Sequence, residues 1–245
     1  MRYFLKLRYD GTSFHGWQKL QGFPTVQGLI QESLSSIFNR PISIHGCGRT
    51  DSGVHAQKYY AHLDCEEVEK SKFIYRLNRM LPSSIEIIDL LDVLSSAHAQ
   101  RDATERTYAY HISTHKDPFT YPFSYWLPYS IDLQALNEIS TLLINTRNFT
   151  AFTKTPDRQK NLDCTVTEAV WLRDHENSVI FRIKADHFLR GMIRLLVGHM
   201  LNTFAGKSSF DEIKKGLNSG LRPPFFHMAP PQGLHLVDIK YPYLD

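Results

Sequence analysis

Arg49 and Asp51 are the side chains best placed to do chemistry in this chain of 245 residues. They stand one residue apart in Gly46-Cys47-Gly48-Arg49-Thr50-Asp51-Ser52-Gly53-Val54-His55-Ala56. Three glycines in eight positions let that stretch take turns closed to other residues. A carboxylate on such a turn can serve as a nucleophile or as a stabiliser of positive charge. A guanidinium beside it suits phosphate. The competing interpretation is a solvated turn in which Asp51 bonds a nearby N–H. His55 can close the turn structurally, and Cys47 reads as a small buried residue behind it.

A turn does chemistry only if rigid elements hold it. Residues 41–47 alternate as a strand leading in, and residues 58–64 form a strand leading out. Residues 2–10 alternate too, with Tyr3, Leu5, Leu7 and Tyr9 on one face. The loop after them contains His15-Gly16-Trp17-Gln18, where Trp17 reads as an aromatic folded over a core edge. Thr25 opens a helix that ends before Pro41. Residues 71–80 form a second helix, whose Lys72, Arg76 and Arg79 make either a basic face or an ordinary solvated one. Residues 84–91 and 107–113 are further strands, and Tyr108, Tyr110 and Ile112 share a face of the latter.

Residues 114–129, rich in Pro and aromatics, read as a loop or a linker containing a strand. Beyond them Asp132 caps a helix. Residues 165–173 and 178–185 form a hairpin, residues 187–204 a long helix, 210–217 a short one and 234–239 a last strand. The loop between the third helix and the hairpin carries Lys154, Arg158 and Lys160, which either contact an anionic partner or are simply solvated. The order fits two similar α+β halves, residues 1–107 and 108–245, each a mostly antiparallel sheet with helices packed on it.

Charge is 28 basic against 25 acidic side chains. Neither half is a basic tail, so an anionic partner requires the fold to gather its cations on one face. No run of about 18 apolar residues appears, so no membrane span is expected. The opening residues enter a strand pattern without a signal-peptide layout, so a cytoplasmic protein is expected. Three cysteines, Cys47, Cys65 and Cys164, with no C-x-x-C pair, argue against a disulfide framework and a standard zinc site. No metal and no small-molecule cofactor is expected.

Gly48-Arg49-Thr50-Asp51-Ser52-Gly53-Val54-His55-Ala56 resembles the active-site motif of the tRNA pseudouridine synthase A family. Tyr9-Asp10-Gly11-Thr12 with Gly16-Trp17-Gln18, then Thr25-Val26-Gln27, resemble that family's opening. Arg106-Thr107-Tyr108-Ala109-Tyr110, Phe188-Leu189 through Met192-Ile193-Arg194, and Gly233-Leu234 with Tyr241-Pro242 follow in its order. The resemblance implies the pseudouridine synthase fold, with a catalytic cleft between the halves, and isomerisation of uridine to pseudouridine in tRNA. The family's targets are positions 38, 39 and 40 of the anticodon arm. It implies Asp51 as nucleophile, attacking sugar or base. Tyr108, Arg49, Arg194 and Leu234 are the implied substrate-binding residues, and a homodimer spanned by tRNA is implied too. A catalytically silent RNA-binding or tRNA-folding factor of the same fold, and a paralogue with a shifted target, are the alternatives. A hydrolase using Asp51 and His55 lacks a nucleophile–base–orienter set.

Arg194 lies inside the longest apolar helix pattern, so its guanidinium is expected to enter or skirt the interior and to need a partner. The resemblance supplies Asp51, with Arg190 as the competitor for that role. The chain departs from the family pattern in one place. Where the family has Phe-x-Ala-Arg, residues 97–100 are Ala97-His98-Ala99-Gln100, with Arg101 one place later.

Overall fold

A computed structural model describes residues 1–158, 161–224 and 227–244. It is mixed α and β, mostly antiparallel, with five α-helices among the described residues. Contacts divide the chain into two compact units, Met1–Thr104 with His235–Asp245, and Glu105–Leu234.

The first unit contains strand β1 (Arg2–Tyr9), helix α1 (Val26–Phe38), β2 (Ile44–Gly46), β3 (His55–Asp64), helix α2 (Lys70–Met80) and β4 (Ile85–Val93). β1 lies between β3 and β4, antiparallel to both. The other edge of β3 is shared. β2 pairs with its second half, from Ala61 to Leu63, and the last strand of the chain pairs in parallel with its start, at His55 and Ala56. That sharing leaves the beginning of β3, where the Asp51 turn enters the sheet, flanked on both sides.

The second unit runs β5 (Glu105–Ser113), β6 (Tyr125–Trp126), helix α3 (Leu133–Asn145), β7 (Val166–His175), β8 (Ser178–Ala185), helix α4 (Met192–Phe204) and helix α5 (Phe210–Ser219). Strand β9 (Leu234–Lys240) begins at its end. β8 sits between β5 and β7, antiparallel to both. Asp132 caps α3, accepting from the N–H groups of Gln134 and Ala135.

Two features differ from the sequence expectation. The break falls at 104/105, and residues 235–245 group with the first unit because β9 pairs with β3. A break at 107/108 leaves them in the second; a parallel partner 180 residues away has no local signature. Helix α4 starts at Met192 rather than at residue 187, because Gly191 takes a left-handed φ of 73° and ends the preceding turn.

Candidate active site

The Asp51 turn is held by the loop that follows β1. A Cβ on Gly11 would stand 2.0 Å from the Val54 carbonyl oxygen, so only glycine lets that loop lie against the turn. Gly16, at φ +86°, is held nearly as close; its Cβ would meet Thr50 O at 2.4 Å and the Asp51 carbonyl carbon at 3.1 Å. Hydrogen bonds then fix the register. The N–H of Trp17 donates to Thr50 O (3.3 Å), and the N–H of Gly53 and the Ser52 hydroxyl both donate to Phe14 O (3.2 Å). The turn closes on itself through Val54 N–H to Asp51 O (3.2 Å).

Side chains fill the space beneath. Trp17 is buried and stacks on Tyr59, with ring centroids 4.1 Å apart. The Tyr59 hydroxyl donates to Gly48 O, and the hydroxyls of Tyr9 and Thr50 share a hydrogen bond of 2.8 Å. His55 is 2% exposed and stacks on His235 at 4.6 Å. Its Nδ1 lies 3.1 Å from both the Gly11 N–H and Asp10 Oδ1. The hydrogen bond from Gly11 explains this nitrogen better than an ion pair, because Asp10 Oδ1 already accepts from the N–H and hydroxyl of Thr12. His55 thus closes the turn by accepting a backbone proton.

On this scaffold Asp51 is half-buried and Arg49 exposed. The other candidate residues belong to the second unit. Tyr108 is half-buried on β5 and meets Phe188 edge-on, with centroids 5.3 Å apart. Two residues along the same face, Tyr110 is wholly buried and donates to Pro230 O (2.8 Å). Tyr108 therefore stands where a packed face gives way to solvent. Arg194, in the first turn of α4, is half-buried. Its Nε donates to Ala229 O (2.7 Å), and its own carbonyl accepts the Ala229 N–H (2.9 Å). Leu234 is buried at the start of β9.

The remaining sequence candidates are less organised. Lys154 and Arg190 are both exposed; the Lys154 N–H donates to Arg190 O (2.9 Å). Arg158 lies in a short 3-10 segment, and Lys160 lies outside the described residues. Arg101 is exposed on a turn in which His98 Nδ1 accepts the N–H groups of Gln100 and Arg101. The supports of the turn, Gly11, Gly16, Thr50 and His55, carry no charge pattern that marks them. The signal that finds them is a pair of glycines in a loop beside a second Gly-rich turn. Among the described residues no cluster of His, Cys, Asp or Glu is arranged to hold a metal ion, and no helix is long and apolar enough to cross a membrane.

A half-buried carboxylate on a turn whose backbone is held by a neighbouring loop is suited to attack or stabilise an electrophilic carbon. Residues 139–242 match the family model of tRNA pseudouridine synthases. Over 243 residues the chain is 39% identical to tRNA pseudouridine synthase A of Parabacteroides distasonis, covering 98% of this chain and 96% of that protein. It is 37% identical to tRNA pseudouridine synthase A of Bacteroides fragilis with the same coverage, and 39% identical to that of Chlorobaculum tepidum over 240 residues, 97% and 96% of the two chains. The chain belongs to the tRNA pseudouridine synthase A family.

Proposed function

We propose that this protein isomerises uridine to pseudouridine in the anticodon arm of tRNA, with Asp51 as the nucleophile. The observation that carries the assignment is the carboxylate on a turn whose backbone is fixed from both sides by the Gly11–Gly16 loop. The reaction breaks the bond from C1′ of the ribose to N1 of the base. The base then turns and C5 bonds to C1′, so C5 loses a proton and N1 gains one. The ribose carbon passes through oxocarbenium-like character, and an ionised carboxylate is the group suited to meet it.

A uridine in a stem or loop must be turned out before a carboxylate can reach it. Tyr108, half-buried at the end of a packed face, is suited to stack on the exposed base or to move its proton. Arg49, exposed and two residues from Asp51, is suited to hold the flanking phosphate. In this reading Arg194 pairs with Asp51 and aims its carboxylate, the guanidinium plane already oriented by the Nε bond to Ala229 O. Leu234 supplies an apolar wall to the substrate pocket. The protein acts without a cofactor, as a cytoplasmic homodimer in which tRNA spans two protomers; the family resemblance supports this last point.

Incubating the purified protein with unmodified tRNA transcripts and mapping pseudouridine tests the proposal. Pseudouridine within positions 38 to 40 is expected. Its absence, with tRNA bound, would identify a silent RNA-binding factor instead, and modification elsewhere would identify a shifted target.

A further inference from the structure

Six cations of the first unit are neutralised locally. Arg2 pairs with Asp64, Arg8 with Glu86, Arg40 with Glu66, Lys58 with Asp238, Lys70 with Asp92 and Lys72 with Glu69. Arg76 and Arg79, both exposed on α2, make no ion pair among the described residues. Helix α2 contains no acidic residue at all.

The orientation of α2 is fixed. Phe73 and Leu77 are buried beneath it. The side chain of Asn78 bonds β4 twice, donating to Ile87 O and accepting from Ile87 N–H, both at 2.8 Å. At 3.6 residues per turn, Lys72, Tyr75, Arg76 and Arg79 then fall within about 100° of the opposite face. Tyr75, among the cations, is 69% exposed.

The stripe also runs to a defined place. After Met80 the chain turns and re-enters the sheet at Ile85, which pairs with Tyr9, and Tyr9 pairs in turn with Ala56. Ser84 O accepts the N–H of Asp10 (2.9 Å), the residue before the Gly11 that lies against Val54. The Arg79 end of α2 and the Asp51 turn therefore share one end of the sheet.

We infer that the Lys72–Tyr75–Arg76–Arg79 face of α2 is a second RNA-binding surface, which holds the tRNA backbone outside the target nucleotide and continues the surface that begins at the Asp51 turn. This rests on tRNA being the substrate. Two unpaired arginines favour phosphate oxygens, and the exposed Tyr75 beside them offers a ring to a base or ribose. The stripe is a polar face with one aromatic along its side, which fits a nucleic-acid backbone better than an apolar partner.

The test compares wild type, the Arg76→Gln/Arg79→Gln double variant and Arg8→Gln, which removes a cation already paired on the sheet. Affinity for whole tRNA is measured against salt concentration, and kcat and KM are measured on whole tRNA and on the isolated anticodon stem–loop. The double variant is expected to lower the slope of log affinity against log salt by about 2, one unit per lost phosphate contact. It should raise KM on whole tRNA roughly tenfold with kcat unchanged, while Arg8→Gln changes neither. The stem–loop should show a smaller increase. An unchanged slope and KM would overturn the inference and make the stripe a solvated face; a fall in kcat alone would overturn it too. If wild type makes no pseudouridine, the proposed function fails, while the salt slope still decides this one.

Discussion

Helices α2 and α3 pack on β4 and β7, the two terminal strands of the sheet order, and each is fastened by an asparagine that replaces a missing neighbouring strand. Asn78 takes both backbone groups of Ile87; Asn137 takes both of Trp171, at 3.0 and 2.8 Å. The edges are covered by the same device, yet the outer faces differ. α2 turns Lys72, Arg76 and Arg79 outward, whereas α3 exposes Gln134, Glu138, Thr141 and Asn145 and contains no basic residue. Covering an edge therefore does not require cations, and those on α2 call for another reason.

The two units also hold their candidate site residues, Asp51 and Arg194, differently. In the first, contacts fall on the backbone of the turn, and Gly11 and Gly16 permit them. In the second, the guanidinium itself is tied, through Nε to Ala229 O. A backbone clamp cannot be relaxed by a rotamer change, so breaking it should have the largest effect. Gly11→Ala places a methyl group 2.0 Å from Val54 O and must shift the turn. We expect activity to fall by about 100-fold, the cost of misplacing a catalytic group by roughly 1 Å, with tRNA affinity largely retained. Near-normal kcat would show that the loop does not position the turn.

The Asn clamps should break in parallel. Asn78→Ala is expected to cost about 1–2 kcal/mol and to speed hydrogen exchange at the Ile87 amide. Asn137→Ala should do the same at Trp171. An effect at one clamp and none at the other would end the equivalence of the two edges.

A smaller difference concerns one buried histidine in each unit. Burial, aided by neighbouring His98 and His45, lowers the pKa of His62 to about 4. Burial, aided by His227, lowers that of His199 to about 4. Each unfolds to an imidazole with a pKa of about 6.5, so the unfolded chain binds more protons between those values. The stability from these neutral rings is complete above pH of about 6.5 and is lost as pH falls toward 4. Urea unfolding at several pH values should show this slope. His62 Nδ1 accepts the Ala99 N–H at 3.2 Å, whereas neither nitrogen of His199 has a hydrogen-bond partner among the described residues. His199→Leu should therefore flatten the slope and stabilise, while His62→Leu flattens it at the cost of a bond.

Much of this was legible in the sequence, and unevenly. The Asp51 turn announced itself because glycine and charge coincide there. Helices α1, α2, α3 and α5 followed from apolar spacing and from helix starts such as Thr25 and Asp132. What sequence could not give was long-range pairing. β9 joins β3 in parallel for two residues only, too short to leave a pattern. The support of the turn by Gly11 and Gly16 is a matter of backbone approach, and a glycine does not say what it lies against. Likewise Lys72, Arg76 and Arg79 read as an outer face of α2, but the two hydrogen bonds of Asn78 to Ile87 that fasten it to the sheet edge leave no mark in the sequence.

The central claim is that Asp51 carries the chemistry and that its surroundings only place it. Asp51→Asn keeps the size of the side chain, removes its charge and opens no core cavity. Pseudouridine mapping and tRNA affinity should be measured together on this variant and on wild type. The account predicts that pseudouridine formation is abolished while tRNA affinity stays within about threefold of wild type. Pseudouridine formation by the variant at a rate within about tenfold of wild type would contradict it.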